Sequence, residues 1–348
     1  MVVNHAFRGM RALALALAMA GSAVVATGAH AETHIKFILN WKYQGPQGLL
    51  FLAEDRGYFR QEGLDVTMDQ GNGSAAAVPM VANGAYDMGF GDINALIELA
   101  AKDPDRAPVG VYMLFNQPAF TVAVKADGPI TSPADFPGRR LGGAANDGAM
   151  KLFSALCSTA KVDCSTVDLE IMQPNLREPM LMQGQVDGVF GYVNTIRFSA
   201  KLIGVETDSQ LRFIRYGDYG MDLYSNAIIV SKAFVLEHPD AVKGFLRALN
   251  RSIKDAIADP AAAIASVAAR EPLIKADVER QRFDATLADE MNHPEVARIG
   301  LGDVDDARLA RSIDILVKAD DLPRTPAVGE IFDRSYLPPP SERPTSVR

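Results

Sequence analysis

Apolar residues change period repeatedly between residues 32 and 102. His34-Ile-Lys-Phe-Ile-Leu-Asn-Trp41 places Ile35, Phe37, Leu39 and Trp41 on one face, the two-residue period of a strand. A helix is predicted from about Gln47 and stops at Gly57, a residue that tolerates the left-handed helix end. Leu64-Asp-Val-Thr-Met-Asp69 alternates again, as a half-buried strand does. Gly71-Asn-Gly-Ser74 turns into a second helix ending near Gly84. A short strand, Asp87–Gly91, then runs through Asp92, a good N-cap, into helix Ile93–Lys102. Strand and helix in alternation predict an α/β fold with a mostly parallel sheet flanked by helices.

The next strand, Val109–Phe115, passes through Asn116-Gln117-Pro118 straight into another, Phe120–Lys125. That join marks the crossing between two lobes. A second series follows: strand Arg140–Gly143, a helix from Gly148, strand Val167–Met172, a helix around Arg177–Gln183, and strand Asp187–Gly191. Strand Leu211–Tyr216 leads to a return crossing at Tyr224–Ser231, and from Pro239 onward the pattern is mostly helical. The predicted division is residues 32–118 with 227–336 in lobe one, 119–226 in lobe two, and a flexible tail at 337–348. Asn83-Gly-Ala-Tyr-Asp-Met-Gly-Phe-Gly-Asp92 echoes Gln183-Gly-Gln-Val-Asp-Gly-Val-Phe-Gly-Tyr192. Either any helix–turn–strand unit favours Gly and Asp, or the lobes are alike and their strand ends, Asp92 and Tyr192, face one cleft. Open α/β sheets bind ligands at the carboxyl ends of their strands.

Residues Met1–Ala31 carry Arg8 and Arg11, an apolar stretch from Ala12 to Ala26, and Ala29-His-Ala31. This is the pattern of an export signal cleaved after Ala31, and it implies a periplasmic destination. The cleavage removes two arginines and no acid from a chain with 35 Lys+Arg and 43 Asp+Glu, taking the net charge from −8 to −10. A chain this acidic is not expected to bind nucleic acid. Cys157 and Cys164 could be oxidised in such a compartment, and whether they pair is open.

Five His and two Cys leave little for a metal site or a His-based triad, so no metal, cofactor or catalytic residue is expected. Leu141-Gly-Gly-Ala-Ala-Asn-Asp-Gly148 lacks the full dinucleotide fingerprint and no P-loop is present. Such small-residue turns still let backbone N–H groups reach a ligand, and Gly71–Ser74 offers the same device; each alone can equally be packing. Trp41, the single tryptophan, is either core or a stacking surface at a strand's carboxyl end, with Tyr43 nearby. Tyr192, Tyr219 and Tyr224 could form the opposite wall.

Asn40-Trp41, Gly57-Tyr-Phe59 followed by Glu62-Gly-Leu-Asp-Val66, Gly71-Asn-Gly-Ser74 and Gly84–Asp92 together resemble one family. It is the thiamine-pyrimidine, taurine and nitrate type of substrate-binding protein of ABC importers. The resemblance implies a two-lobed periplasmic binding protein fold of type II, a monomer delivering its ligand to an inner-membrane ABC permease by hinge closure. The expected ligand is a planar nitrogen heterocycle resembling a pyrimidine precursor of thiamine. That branch often carries an acidic residue shortly after its Gly-Tyr segment, where this chain has Thr195 and Ile196. The candidate contacts are Asn40, Trp41, Tyr43, Asn72, Ser74 and Asp92 from one side. Asn146, Asp147, Tyr192 and Tyr224 face them, with Asn116 and Gln117 at the crossing. The rivals are a sulfonate or nitrate ligand, and a partner of a membrane sensor. A third is the fungal enzyme of similar fold that builds the pyrimidine from its own histidine and pyridoxal phosphate, a chemistry that also needs a Cys-rich iron-binding segment.

Overall fold

The computed structural model describes residues 32–347, so the export pattern at Met1–Ala31 lies outside the described residues. Ten strands form two five-stranded sheets. The first holds β1 (Thr33–Ile38), β2 (Leu64–Asp69), β3 (Met88–Asp92), β4 (Val109–Met113) and β10 (Asn226–Val230), in the order β2-β1-β3-β10-β4. The second holds β5 (Phe120–Lys125), β6 (Arg140–Gly143), β7 (Asp168–Ile171), β8 (Gly188–Tyr192) and β9 (Leu211–Arg215), in the order β7-β6-β8-β5-β9.

Within each sheet the fourth strand runs against its neighbours, β10 against β3 and β4, and β5 against β8 and β9. Both are the strands by which the chain arrives from the other sheet. A strand entering from the side where its neighbours end must run opposite to them, so the two crossings dictate the exception in each sheet.

The repeated Gly–Asp pattern has a physical cause. Gly84 and Gly184 both adopt left-handed φ values, 76° and 71°, ending the helices α2 (Ala77–Ala82) and α5 (Arg177–Met182). Three residues later, Asp87 Oδ2 accepts from the Lys36 N–H at 2.8 Å, and Asp187 Oδ2 accepts from the Arg140 N–H at 2.9 Å. Each aspartate thus satisfies a backbone donor on the neighbouring parallel strand of its own sheet, β1 or β6.

Helices cover both sheets. Among them are α1 (Gly48–Asp55), α3 (Ile93–Lys102), α4 (Gly148–Lys151), α6 (Val193–Leu202), α7 (Pro239–Ala258), α8 (Pro260–Arg270), α9 (Ala276–Asp289) and α10 (Asp306–Ala319). Helix α7 starts on Pro239, whose missing N–H costs nothing at a helix start, and buries Val242, Leu246, Leu249 and Ile253 along one stripe. Its Phe245 stacks between Phe37 and Phe59, with centroids 5.2 and 5.0 Å apart.

Cys157 and Cys164 are joined in a disulfide. Lys161 between them takes a left-handed conformation, which reverses the chain after its helix and closes the loop. The tail differs from its expectation of looseness. Arg343 and Val347 are buried, the Leu301 N–H donates to Pro344 O at 2.8 Å, and Asn250 Nδ2 donates to Glu342 O at 2.9 Å. A proline-rich segment makes no regular ladder, yet its carbonyls still accept from the body of the chain. Among the described residues no helix is long and apolar enough to cross a membrane.

Candidate functional site

The carboxyl ends of β1, β3, β6 and β8 converge where the two sheets meet. A cavity of about 290 Å³ lies there, lined by Asn40, Trp41, Ser74, Asp147, Arg177, Tyr192 and Thr195. The space closed off from solvent within it is only about 30 Å³, so a ring is admitted only as the two sheets part. Asn40 is buried and accepts from Gln47 Nε2 at 2.9 Å, which fixes the start of the segment carrying Trp41. The indole is half-buried and presents a face to the Arg177 guanidinium, 5.9 Å from the ring centroid.

Asp147 is the N-cap of α4: its Oδ1 accepts from the Ala149 and Met150 N–H groups at 2.9 and 3.4 Å. Its other oxygen lies 3.5 Å from Arg177 Nη1. Burial pushes the Asp147 pKa above its ordinary value, while Arg177 and the two N–H donors pull the other way. Arg177 itself is 1 % exposed. Its Nε and Nη2 donate to Glu178 Oε1 at 2.9 and 2.7 Å, and Nη1 donates to the Phe190 carbonyl at 3.2 Å. A methyl group on Gly191 would come within 2.5 Å of Nη1, so the glycine makes room for this guanidinium beside β8. The lining thus carries one cation and one carboxyl, and the cation is committed to Asp147 and to Glu178 behind it.

Tyr192 closes the site. Its hydroxyl donates to Asn226 Oδ1 at 2.6 Å, lies 3.1 Å from Ser74 Oγ and accepts from Ser225 Oγ at 3.0 Å. These bonds tie the second sheet to the first. Burial raises the phenol pKa well above its usual value, so it works as a neutral hydrogen-bonding group. Asn226 Nδ2 is buried beside it without an acceptor among the described residues.

Of the expected contacts, Asn40, Trp41, Ser74, Asp147 and Tyr192 line this cavity and the rest do not. Asn72 is exposed to solvent, because the turn that carries it serves backbone packing. Gly73 holds φ 153°, and a Cβ there would fall 2.3 Å from the Asn146 carbonyl oxygen. The small-residue turns therefore bring the two sheets together rather than presenting N–H groups to a ligand. Asn146 is half-buried at that contact. Asp92 caps α3, with Oδ1 accepting from Asn94, and its Oδ2 is pressed against Gly148, where a Cβ would meet it at 2.6 Å. It sits behind Ser74 in the interface.

Tyr43 donates to the Met68 carbonyl at 3.0 Å and meets Phe51 edge-on, so its ring packs. Tyr224 donates to Glu295 Oε2 at 2.9 Å under the Arg308 guanidinium, and Asn116 Oδ1 accepts from the His293 N–H at 3.1 Å. Gln117 is half-buried, its N–H donating to the Glu290 carbonyl at 3.1 Å. These three hold the crossings.

Arg177, Glu178 and Thr195 were missed in the sequence. A signal existed for the first: an arginine opening a helix opposes the helix dipole, which favours acids at that end. Such a placement points to work other than helix stability.

A family model described as "NMT1/THI5 like" matches residues 47–263, more than half of the chain. The 4-amino-5-hydroxymethyl-2-methylpyrimidine phosphate synthase of Schizosaccharomyces pombe is 26% identical over 265 residues, covering 73% of this chain and 74% of that protein. A protein of the same name from Legionella pneumophila is 22% identical over 258 residues, 74% of this chain and 79% of that one. Among solved structures, the alkanesulfonate-binding protein SsuA from Xanthomonas axonopodis pv. citri bound to MOPS superposes with a TM-score of 0.66. It is 16% identical and covers 86% of this chain and 98% of that one. The chain thus has the two-lobed periplasmic binding protein fold.

The relatives overturn two expectations, that the chain is an importer's carrier and that it is not an enzyme, since those relatives carry the names of synthases. The physical reason is that a cleft between two lobes serves holding and converting equally well. Scarcity of His and Cys did not decide the matter, because a buried Asp–Arg pair and a tyrosine are themselves competent groups.

Proposed function

The chain belongs to the NMT1/THI5-like family, and from that premise we propose that it is an enzyme acting on an aminopyrimidine held between the two sheets. The observation that carries this reading is the buried Asp147–Arg177 pair, 3.5 Å apart, opening on the same cavity as the face of Trp41. A flat ring stacks on the indole. Asp147 Oδ2 then accepts a hydrogen bond from an exocyclic amine, or gives its proton to a basic ring nitrogen beside it, with Arg177 holding the carboxylate in place. Ser74 and Thr195 orient the ring from the edge.

The residues present do not fit the histidine-consuming route named above for the fungal enzyme. No His or Lys lines the cavity, and among the described residues no group of three or more His, Cys, Asp or Glu could hold a metal ion. No step is therefore drawn through pyridoxal phosphate or iron. The reading is of a ring supplied to the enzyme, not one assembled from its own side chain. The one cation on the lining, Arg177, is already paired with Asp147 and Glu178, which disfavours a sulfonate or nitrate in want of an uncommitted cation. Lys42 is exposed and outside the cavity. The export pattern at Met1–Ala31 supports, within the same proposal, work outside the cytoplasm.

The test is calorimetric titration of wild type and Asp147→Asn with 4-amino-5-hydroxymethyl-2-methylpyrimidine and with taurine. The pyrimidine is expected to bind wild type and to lose about tenfold or more in the variant. Preference for taurine would refute the reading.

A further inference from the structure

The cavity does not end at Trp41. Asn40, Trp41, Tyr192 and Thr195 also border a second chamber of about 20 Å³, the size of a water or an ammonium group. Its other wall is built by Asn194 on α6, by Arg282 and Thr286 on α9, and by Glu290 just past the end of α9.

Hydrogen bonding in this chamber is one-sided. Glu290 is 4 % exposed; its Oε1 accepts from Asn194 Nδ2 at 3.2 Å, and Oε2 takes no hydrogen bond among the described residues. Asn194 is 1 % exposed, and its Oδ1 is buried with no donor among the described residues. Arg282, the cation at hand, is committed elsewhere. Its Nε and Nη2 donate to Glu279 at 2.9 and 3.2 Å, while Nη1 donates to the carbonyls of Asn194 and Thr195 at 3.3 and 3.1 Å. Buried acceptors without donors are costly and are normally satisfied. A carboxylate kept only for packing would have been paired; this one faces open space next to the ring site.

We propose that this chamber is a specificity subsite for a cationic amine substituent on the ring, with Glu290 and Asn194 Oδ1 as its acceptors. The inference rests on the reading that the ring stacks on Trp41. Burial raises the Glu290 pKa to about 8, so the empty chamber holds a neutral acid and an arriving ammonium group draws it into an ion pair. An anion finds the one cation of the chamber, Arg282, already committed to Glu279 and to backbone carbonyls.

The experiment compares two ligands that differ at one position: 4-amino-5-hydroxymethyl-2-methylpyrimidine and its 5-aminomethyl counterpart, each titrated into wild type, Glu290→Gln and Asn194→Leu. Wild type is expected to bind the amine at least about tenfold tighter, as a charge-assisted hydrogen bond would give. Each variant is expected to bring the two ligands within about twofold of each other. Should Glu290→Gln not fold, as read by circular dichroism, Asn194→Leu carries the same comparison. Equal affinities in wild type, or an equal loss of both ligands in the variants, would overturn the subsite while leaving the ring site standing. Failure of both ligands to bind wild type would overturn the ring site and this inference with it.

Discussion

The hydroxyl of Tyr192, at the end of the second sheet's β8, lies 2.6 Å from Oδ1 of Asn226, at the start of the first sheet's β10. One phenol thereby ties the two halves at the floor of the cavity. Tyr192→Phe removes the tie and leaves Asn226 Oδ1 with only the longer bond from Ser225 Oγ, 3.3 Å, in a buried place. The expected cost is about 1–3 kcal/mol of stability in the closed arrangement, read as a lower Tm and a larger radius of gyration in solution. An unchanged Tm and unchanged scattering would show that the tie holds nothing.

The approach of Gly73 to Asn146 gives a second handle on the same closure. Gly73→Ala puts a methyl group 2.3 Å from a backbone oxygen, with neither side able to yield cheaply. The hydrophobic core is continuous across both sheets and does not depend on this one contact, so the variant is expected to fold but to stand open at this point. Small-angle scattering checks this, and a profile matching that of wild type would contradict it.

Two buried carboxyls should make stability depend on pH. Burial is the main cause that carries Asp92 to about 7 and Glu290 to about 8, with like charge from Asp147 and Asp289 adding to it. Both values lie above those of an unfolded chain, so the folded state binds more protons. Their contribution is fully present below about pH 4, falls as pH rises through 7 and 8, and is flat beyond. Wild-type Tm is expected to fall across that window, and the double variant Asp92→Asn with Glu290→Gln to flatten the slope. A slope that survives in the double variant would assign it to other groups.

Trp41 offers a face to the cavity and is only half-buried. Trp41→Ala is therefore expected to weaken pyrimidine binding by more than about tenfold, roughly 1.4 kcal/mol, with little change in the Tm of the unliganded protein. A large fall in that Tm would mark the indole as core.

Much of this fold was legible because its signals are local. The alternation in Leu64–Asp69, and the Gly–Asp punctuation before β3 and β8, depend on neighbours within a few residues. Strand ends were legible too, which is how Asn40, Trp41, Asp147 and Tyr192 came to be named. The remaining site residues were not, because their roles arise from distant pairing. Arg177 reaches the cavity only because β8 has Gly191 beside it, and Glu290 does so from a helix about a hundred residues after Thr195. Tyr43 and Tyr224 misled for the converse reason: an aromatic near a strand end looks the same whether it faces the cleft or packs behind it.

Turnover separates an enzyme from a protein that merely holds the ring. Purified protein is incubated with excess 4-amino-5-hydroxymethyl-2-methylpyrimidine and with its aminomethyl counterpart, and the compounds are followed by mass spectrometry. Wild type is expected to convert several molecules per protein chain while its own intact mass stays constant, and Asp147→Asn to convert none. Recovery of both compounds unaltered after tight binding by wild type would contradict the account.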